Sequence, residues 1–383
     1  MAHGDSSGRR DGNCGGRGGI AAATAALNEA SAPGAAGNTV IAGAADTAGA
    51  AGLAGAGRVS AAPDSKSSAG YAVSGAAATA GTAATASAPG TAAVAGNAGN
   101  AAAAVAGAAC FRDRAINLGE TLASGQTFAF IPHGGGYLGI ADGKPVWAGE
   151  SGGGLTVRCR AGDEGFWRRY FDLDRDYAQL LEPLFGADAR LAACARAYPG
   201  MKLLRQPVWE TVNEFIISAN NNIRRIGNIY RGISKALGEE VVWEGVALHS
   251  YPRPAALAAA PDDALRALGA GYRAPYLTST ASVIAKGFSL ELDAMEYAPA
   301  LKHLMSLRGV GEKVADCVLL FSTRHGCAFP VDVWMERVMM EWYGASGSRA
   351  ALKRAAQERY GSLAGVAQQY LFHGIRSGVG RTP

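Results

Sequence analysis

Lys313 follows the turn Gly309-Val310-Gly311-Glu312, and Asp332 stands downstream of it behind Phe329-Pro330-Val331. An amine and a carboxylate in that setting suit Schiff-base chemistry: the amine attacks an electrophilic carbon, such as C1′ of a nucleotide sugar, and the carboxylate stabilises the positive charge that develops. Lys313 opens the apolar run Val314-Ala315-Asp316-Cys317-Val318-Leu319-Leu320-Phe321, which reads as a buried helix with only its N-terminus open. Helix dipoles favour anions at that end, so an amine there is pressed toward its neutral, nucleophilic form. Cys317, at i+4, shares a face with Lys313 and would line the same pocket. Asp332 directly precedes the helical stretch Val333-Trp334-Met335-Glu336-Arg337-Val338 and is placed as an N-cap. Capping alone would account for an aspartate there. The lysine upstream gives it a second role.

The elements that position this pair are a helix ending near Leu307, a glycine hairpin and the helix from Lys313. Gly309 and Gly311 let the backbone come close to a phosphate, and the free N–H groups of the second helix would hold it. A hairpin of this form also serves DNA binders with no catalytic activity, so by itself it leaves enzyme and binder open. The lysine–aspartate pair favours the enzyme.

The chain has 383 residues and a net charge of +4. Residues 1–109 are almost wholly Ala, Gly, Ser, Thr and Asn; their basic Arg9, Arg10, Arg17, Arg58 and Lys66 are matched by Asp5, Asp11, Glu29, Asp46 and Asp64. The positive balance therefore belongs to residues 110–383 and is consistent with a nucleic-acid partner. The first 109 residues lack the large apolar side chains that offset ordering entropy and read as a disordered tail. The six cysteines contain no CxxC pair, which points to reduced thiols rather than a disulfide framework or an iron–sulfur cluster. The uncharged run after Lys66 is too weakly apolar, and too interrupted by Pro89, for a membrane span.

Beyond Cys110, strand-like runs occur at Thr127–Ile131, Tyr137–Ala141, Lys144–Ala148 and Leu155–Arg160, separated by Gly-Gly-Gly and Asp-Gly turns. From about Phe166 apolar residues recur at helical spacing, with helices expected at Trp167–Tyr177, Tyr177–Phe185, Asp188–Tyr198, Trp209–Ser218, Arg225–Leu237, Asp262–Leu268, Ala274–Ala285, Leu290–Leu307, Lys313–Ser322 and Val333–Trp342, and two more beyond. The fold class is α+β: a tail at 1–109, a small antiparallel sheet domain with a helical connection at 110–198, and an all-helical domain carrying the hairpin at 199–383.

With Pro330-Val331-Asp332-Val333, the hairpin Gly309–Cys317 closely resembles the helix-hairpin-helix-Gly/Pro/Asp superfamily of DNA glycosylases, and within it the 8-oxoguanine DNA glycosylase/AP lyases. The resemblance covers roughly residues 110–383. Ser218-Ala219-Asn220-Asn221-Asn222-Ile223-Arg224-Arg225 resembles the segment that enters DNA opposite the lesion, which implies that Asn220 fills the gap and Arg225 reads the orphaned cytosine. Gly271-Tyr272-Arg273-Ala274-Pro275 resembles the wedge, with Tyr272 kinking the duplex and Arg273 contacting the cytosine. Ala367-Gln368-Gln369-Tyr370-Leu371-Phe372 matches the stretch that brings Gln368 to the base edge and Phe372 to its face, and Gly125 matches the glycine whose carbonyl accepts the N7–H of 8-oxoguanine. A glycosylase needs such a void filler, wedge and aromatic pocket because its base must leave the stack.

The resemblance implies excision of 8-oxoguanine opposite cytosine through a Lys313 imine and β-elimination, on damaged double-stranded DNA, by a monomer that requires no cofactor and touches no membrane. It also implies that the carbonyls of Met305, Leu307 and Val310 can hold a monovalent cation. The expected location is the cytoplasm or nucleoid of a bacterium or the nucleus of a eukaryote, with organellar targeting less favoured. Two departures from the family pattern stand out. Trp334 replaces a histidine that contacts DNA in many eukaryotic relatives, and Arg308 replaces a proline before the hairpin. A sibling glycosylase for another damaged base and a structure-specific DNA binder with no catalytic activity remain as alternatives.

Overall fold

The computed structural model describes residues 108–114, 116–151 and 154–379. Apart from Ala108 and Ala109, the expected disordered tail lies outside the described residues. Five strands, β1 (Ala108–Arg114), β2 (Phe130–His133), β3 (Gly136–Ala141), β4 (Lys144–Ser151) and β5 (Gly154–Arg160), form one antiparallel sheet in the order β1-β5-β4-β3-β2. Two-residue hairpins set the register. Gly134-Gly135 lets His133 pair with Gly136, and Asp142-Gly143 lets Ala141 pair with Lys144. All four turn residues sit at positive φ, the backbone that follows the right-handed twist of the strands.

The sequence reading misses β1, whose Ala108-Ala109 start continues the composition of the tail. It also starts β2 three residues early: Thr127–Ala129 leave the sheet, and the Phe128 N–H goes instead to Glu214 at 3.0 Å. The helix expected at Trp167–Tyr177 runs only over Glu164–Tyr170, because Asp172 turns the chain at positive φ. The one expected at Leu290–Leu307 begins at Tyr297. Pro299 explains the late start, since it is tolerated in a first turn but would clash in a helix interior.

The second domain is not all-helical. Inside it Glu240–Trp243 (β6) and Val246–His249 (β7) form a hairpin over Glu244-Gly245, again both at positive φ. Trp243 and Leu248 pack on Leu138, Ile140 and Trp147 of the sheet. The opposite face of the sheet, with Val146, Ala148, Leu155 and Val157, packs on Trp167, Tyr170 and Phe171. Alternate residues of β4 thus feed two separate cores, as the two-residue strand period requires. Arg158 spans the junction, stacked 3.6 Å from the Trp147 ring and paired with Glu244 at 2.8 Å.

Helix Val208–Ser218 joins the sheet to the main helical core through two buried carboxylates. Glu210 accepts the Asp142 N–H at 2.7 Å, and Glu214 accepts that of Phe128. Burial pushes Glu210 up from 4.5 to about 8 and drives Glu214 up as well, while the hydrogen bond from each N–H acts against it. The folded chain then keeps protons that the unfolded chain releases. This contribution to stability is full below about pH 4.5 and drains as the pH rises to about 8. Glu210→Gln retains an acceptor for Asp142 and removes one titration. Denaturant unfolding of this variant should lose at least about 2 kcal/mol less than the parent between about pH 5 and 8. An unchanged pH slope would refute this assignment.

Of the described cysteines, Cys159, Cys194 and Cys317 are reduced and buried, whereas Cys327 is disulfide-bonded, against the expectation of reduced thiols. Among the described residues no helix is long and apolar enough to cross a membrane.

Candidate active site

Helices Tyr297–Met305 and Glu312–Ser322 flank the glycine hairpin. Gly309 sits at φ +85°, and a Cβ there would meet the Tyr276 side-chain carbons Cβ, Cγ and Cδ2 at 2.7–2.8 Å, so both conformation and packing require glycine. The Thr280 hydroxyl donates to the Arg308 carbonyl at 3.0 Å, and the Arg308 guanidinium lies 5.6 Å from the Tyr276 ring. Gly311 caps the second helix without a side chain, leaving its first N–H groups open for a phosphate. The Leu307 carbonyl accepts the Val310 N–H at 3.1 Å. No described group donates to the carbonyls of Met305 or Val310, a pattern that fits the cation the family resemblance implies.

Val314 to Phe321 are buried without exception, as the sequence predicts. Behind the hairpin, Lys353 bonds Asp316 at 2.8 Å and Glu312 at 2.7 Å, while the Tyr297 hydroxyl donates to Asp316 at 2.6 Å. This buried network, which the sequence reading does not identify, holds the helix that carries Lys313. The Lys313 amine is half-buried, donates to Ser218 Oγ at 3.3 Å and lies 5.1 Å from the Phe215 ring. One turn on, Cys317 is buried, and burial pushes its thiol up to about 12 despite the nearby lysine. It is a neutral thiol at physiological pH, a wall rather than a rival nucleophile.

Asp332 caps helix Val333–Arg337: its Oδ1 accepts the N–H groups of Trp334 and Met335, both at 3.0 Å. Two bonds on one oxygen fix the plane of the carboxylate. The cavity these residues surround is about 340 Å³ and is lined by Lys313, Asp332, Cys317, Gly125, Gln368 and Phe372, the six residues expected at the reacting centre and base pocket. Gly125, at φ +84°, is positioned by Ser124 and Gln126; Gln126 bonds the carbonyls of Thr121 and Lys202 at 2.9 and 2.8 Å. Gln368 donates weakly to the Pro330 carbonyl at 3.5 Å, and its buried Oε1 has no partner among the described residues. An unpartnered buried amide oxygen at a cavity wall suits a ligand that brings its own donor.

The four residues expected to face the opposite strand stand apart from this cavity, in a cluster of their own. Asn220 is exposed at φ +47°. Arg273 is buried; its guanidinium donates to Asn220 O at 2.9 Å, to Ala219 O at 2.9 Å through Nε, and again to Ala219 O through Nη2. Its donors are thus committed to holding the Asn220 turn in this state. The Tyr272 ring is 53% exposed, and its hydroxyl donates to the same Ala219 carbonyl at 3.2 Å. Arg225, also exposed, reaches the Gly269 carbonyl at 3.4 Å.

The cavity also recruits residues that the sequence reading does not name as site residues, among them Phe128, Phe215, Ser218 and Arg376. Arg376 carried a usable signal: Gln368, Phe372 and Arg376 recur at four-residue spacing on one helix, Ala364–Ser377. Phe128 and Phe215 carried none, since an apolar ring in a strand-like or helical pattern looks like core. Trp334, flagged as a departure, is a wall of the cavity, and Arg337 stacks 5.4 Å from its ring.

Residues 110–212 match the 8-oxoguanine DNA glycosylase N-terminal domain, and residues 214–361 match the HhH-GPD superfamily base excision DNA repair protein family. A probable N-glycosylase/DNA lyase of Methanothermobacter thermautotrophicus is 32% identical over 232 residues, 55% of this chain and 72% of that protein. The N-glycosylase/DNA lyase of Saccharomyces cerevisiae is 34% identical over 211 residues, 51% of this chain and 55% of the yeast protein. The crystal structure of Clostridium acetobutylicum 8-oxoguanine glycosylase/lyase, in complex with double-stranded DNA containing cytosine opposite 8-oxoguanine, superposes with a TM-score of 0.66 at 31% identity. That match covers 70% of this chain and 98% of the clostridial one.

Proposed function

This chain belongs to the HhH-GPD superfamily of base excision DNA repair proteins, and from that membership we propose that it excises 8-oxoguanine from duplex DNA and then cleaves the strand. The observation that carries the reading is one cavity of about 340 Å³ holding Lys313, Asp332, Cys317, Gly125, Gln368 and Phe372 together. Its volume lies at the low end of the range that holds small ligands, about 300–1,000 Å³, and suits a single extruded nucleoside.

In this mechanism the Lys313 lone pair attacks C1′ as the bond to N9 breaks and its electrons leave on the base. The sugar passes through an oxocarbenium-like state, which the Asp332 carboxylate stabilises. The amine loses a proton as the sugar ring opens, giving an imine. Removal of a C2′ proton then expels the 3′ phosphate, which is β-elimination. Phe372 and Cys317 cover the two faces of the base, Gln368 and the Gly125 carbonyl meet its edges, and the hairpin of Gly309 and Gly311 holds the backbone. Asn220, Arg225, Tyr272 and Arg273 serve the opposite strand: Asn220 fills the void, Tyr272 wedges, and the arginines read cytosine, Arg273 once the Asn220 turn releases it.

We propose further that the protein acts as a monomer, without a required cofactor, in the compartment that holds the genome. Borohydride trapping over a panel of lesions, each paired with all four bases, tests the whole reading. The expected result is a covalent adduct with 8-oxoguanine, strongest opposite cytosine. An adduct with thymine glycol instead, excision of 3-methyladenine instead, or tight binding without any cleavage would overturn it.

A further inference from the structure

Arg376 lies one turn beyond Phe372 in helix Ala364–Ser377 and lines the cavity. Its guanidinium is stacked 5.2 Å from the Phe372 ring and makes no hydrogen bond or salt bridge with any described residue. The same guanidinium adjoins Gly125: a Cβ built on that glycine would stand 3.7 Å from Arg376 Nη1. Burial lowers the arginine's pKa, and the Asp332 carboxylate works against that lowering. A cation with no hydrogen-bond partner among the described residues, beside the ring that would carry a base, is placed to contact whatever the cavity receives.

The chemistry of the guest then narrows the choice. On its imidazole edge guanine presents a bare N7 acceptor and a C8–H. Oxidation at C8 turns that edge into an N7–H donor beside a C8=O acceptor. An acceptor for N7–H already tells the two apart, and a donor beside it would meet the C8=O as well; the wall at Gly125 offers both, a backbone carbonyl and the Arg376 guanidinium. We propose that Arg376 is a specificity-determining residue that donates a hydrogen bond to the C8 carbonyl of the oxidised purine, next to the Gly125 carbonyl. This inference rests on the 8-oxoguanine reading above and adds a second contact to the edge that defines the lesion.

The test compares two substrates and two variants under single-turnover conditions: an 8-oxoguanine·cytosine duplex and the same duplex with a preformed abasic site. Arg376→Leu keeps the apolar stem on Phe372 and removes the donor. It should slow excision about ten- to a hundredfold more than it slows cleavage at the abasic site, the size of one charge-assisted hydrogen bond. Arg376→Lys should recover part of that difference, since it restores a charged donor of another shape. Equal slowing on both substrates would mean a phosphate contact and would overturn the proposal, as would no slowing on either. Cleavage at the abasic site also reports that each variant is folded. If the parent protein leaves 8-oxoguanine intact, the proposed function itself falls, and that is seen before any variant is compared.

Discussion

Lys313→Gln abolishes the borohydride-trapped adduct and lowers 8-oxoguanine excision by at least about a thousandfold, because no other group in the cavity can take over as nucleophile. Cys317 is the obvious substitute, yet burial keeps its thiol up at about 12 and therefore protonated. Ser218 lies within reach of the lysine, but its hydroxyl donates to the Phe215 carbonyl at 2.8 Å and has no base beside it. Glutamine is one atom shorter but keeps the aliphatic stem and a polar end, and the lysine's hydrogen bond to Ser218 is long at 3.3 Å, so the variant should unfold within about 1 kcal/mol of the parent. Gel-resolved trapping and strand-cleavage assays, with a denaturant melt as control, read all three quantities. A trapped adduct that survives the substitution would remove Lys313 from the mechanism.

Asp332→Asn separates two roles that the structure gives to one side chain. Asparagine is as good an N-cap as aspartate, so its amide oxygen can take over the N–H groups of Trp334 and Met335. Stability should therefore change by less than about 1 kcal/mol, while excision falls about a hundredfold for want of the negative charge that meets the developing cation. Asp332→Ala should lose both the cap and the charge. If the asparagine variant excises normally, capping is all that Asp332 does.

These outcomes bear on what could be read without a structure. The lysine, the aspartate and the cysteine were legible because each sits where a local rule speaks: a helix start, an N-cap, an i+4 position. Gly125 obeys no such rule, and the four-residue spacing of Gln368 and Phe372 marks only a shared helix face, so their roles came through resemblance; the cavity that unites all three with Lys313 is a tertiary fact. The two-residue hairpins of the five-stranded sheet were legible because Gly marks their turns between strand-like runs, at Gly134-Gly135 and at Asp142-Gly143. The hairpin over Glu244-Gly245 carries the same signal but sat between strong helical patterns, and those dominated the reading. Glu210 and Glu214 were invisible for a different reason. Spaced i, i+4 on a helix that also carries Thr211 and Asn213, they look like part of a polar stripe, and only the partners at Asp142 and Phe128 explain their burial.

The covering of the sheet by two distant segments has a consequence for how the chain is made. Helix Glu164–Tyr170 follows the last strand almost at once, so one face can close while synthesis is still under way. The other face waits for Trp243 and Leu248. Until the ribosome has released residue 249, Leu138, Ile140 and Trp147 have no lid, and non-local pairing of this kind is slow and prone to aggregation. Severed at residue 212, the sheet domain would keep that sticky face for good. Its solubility is on loan from the helical half.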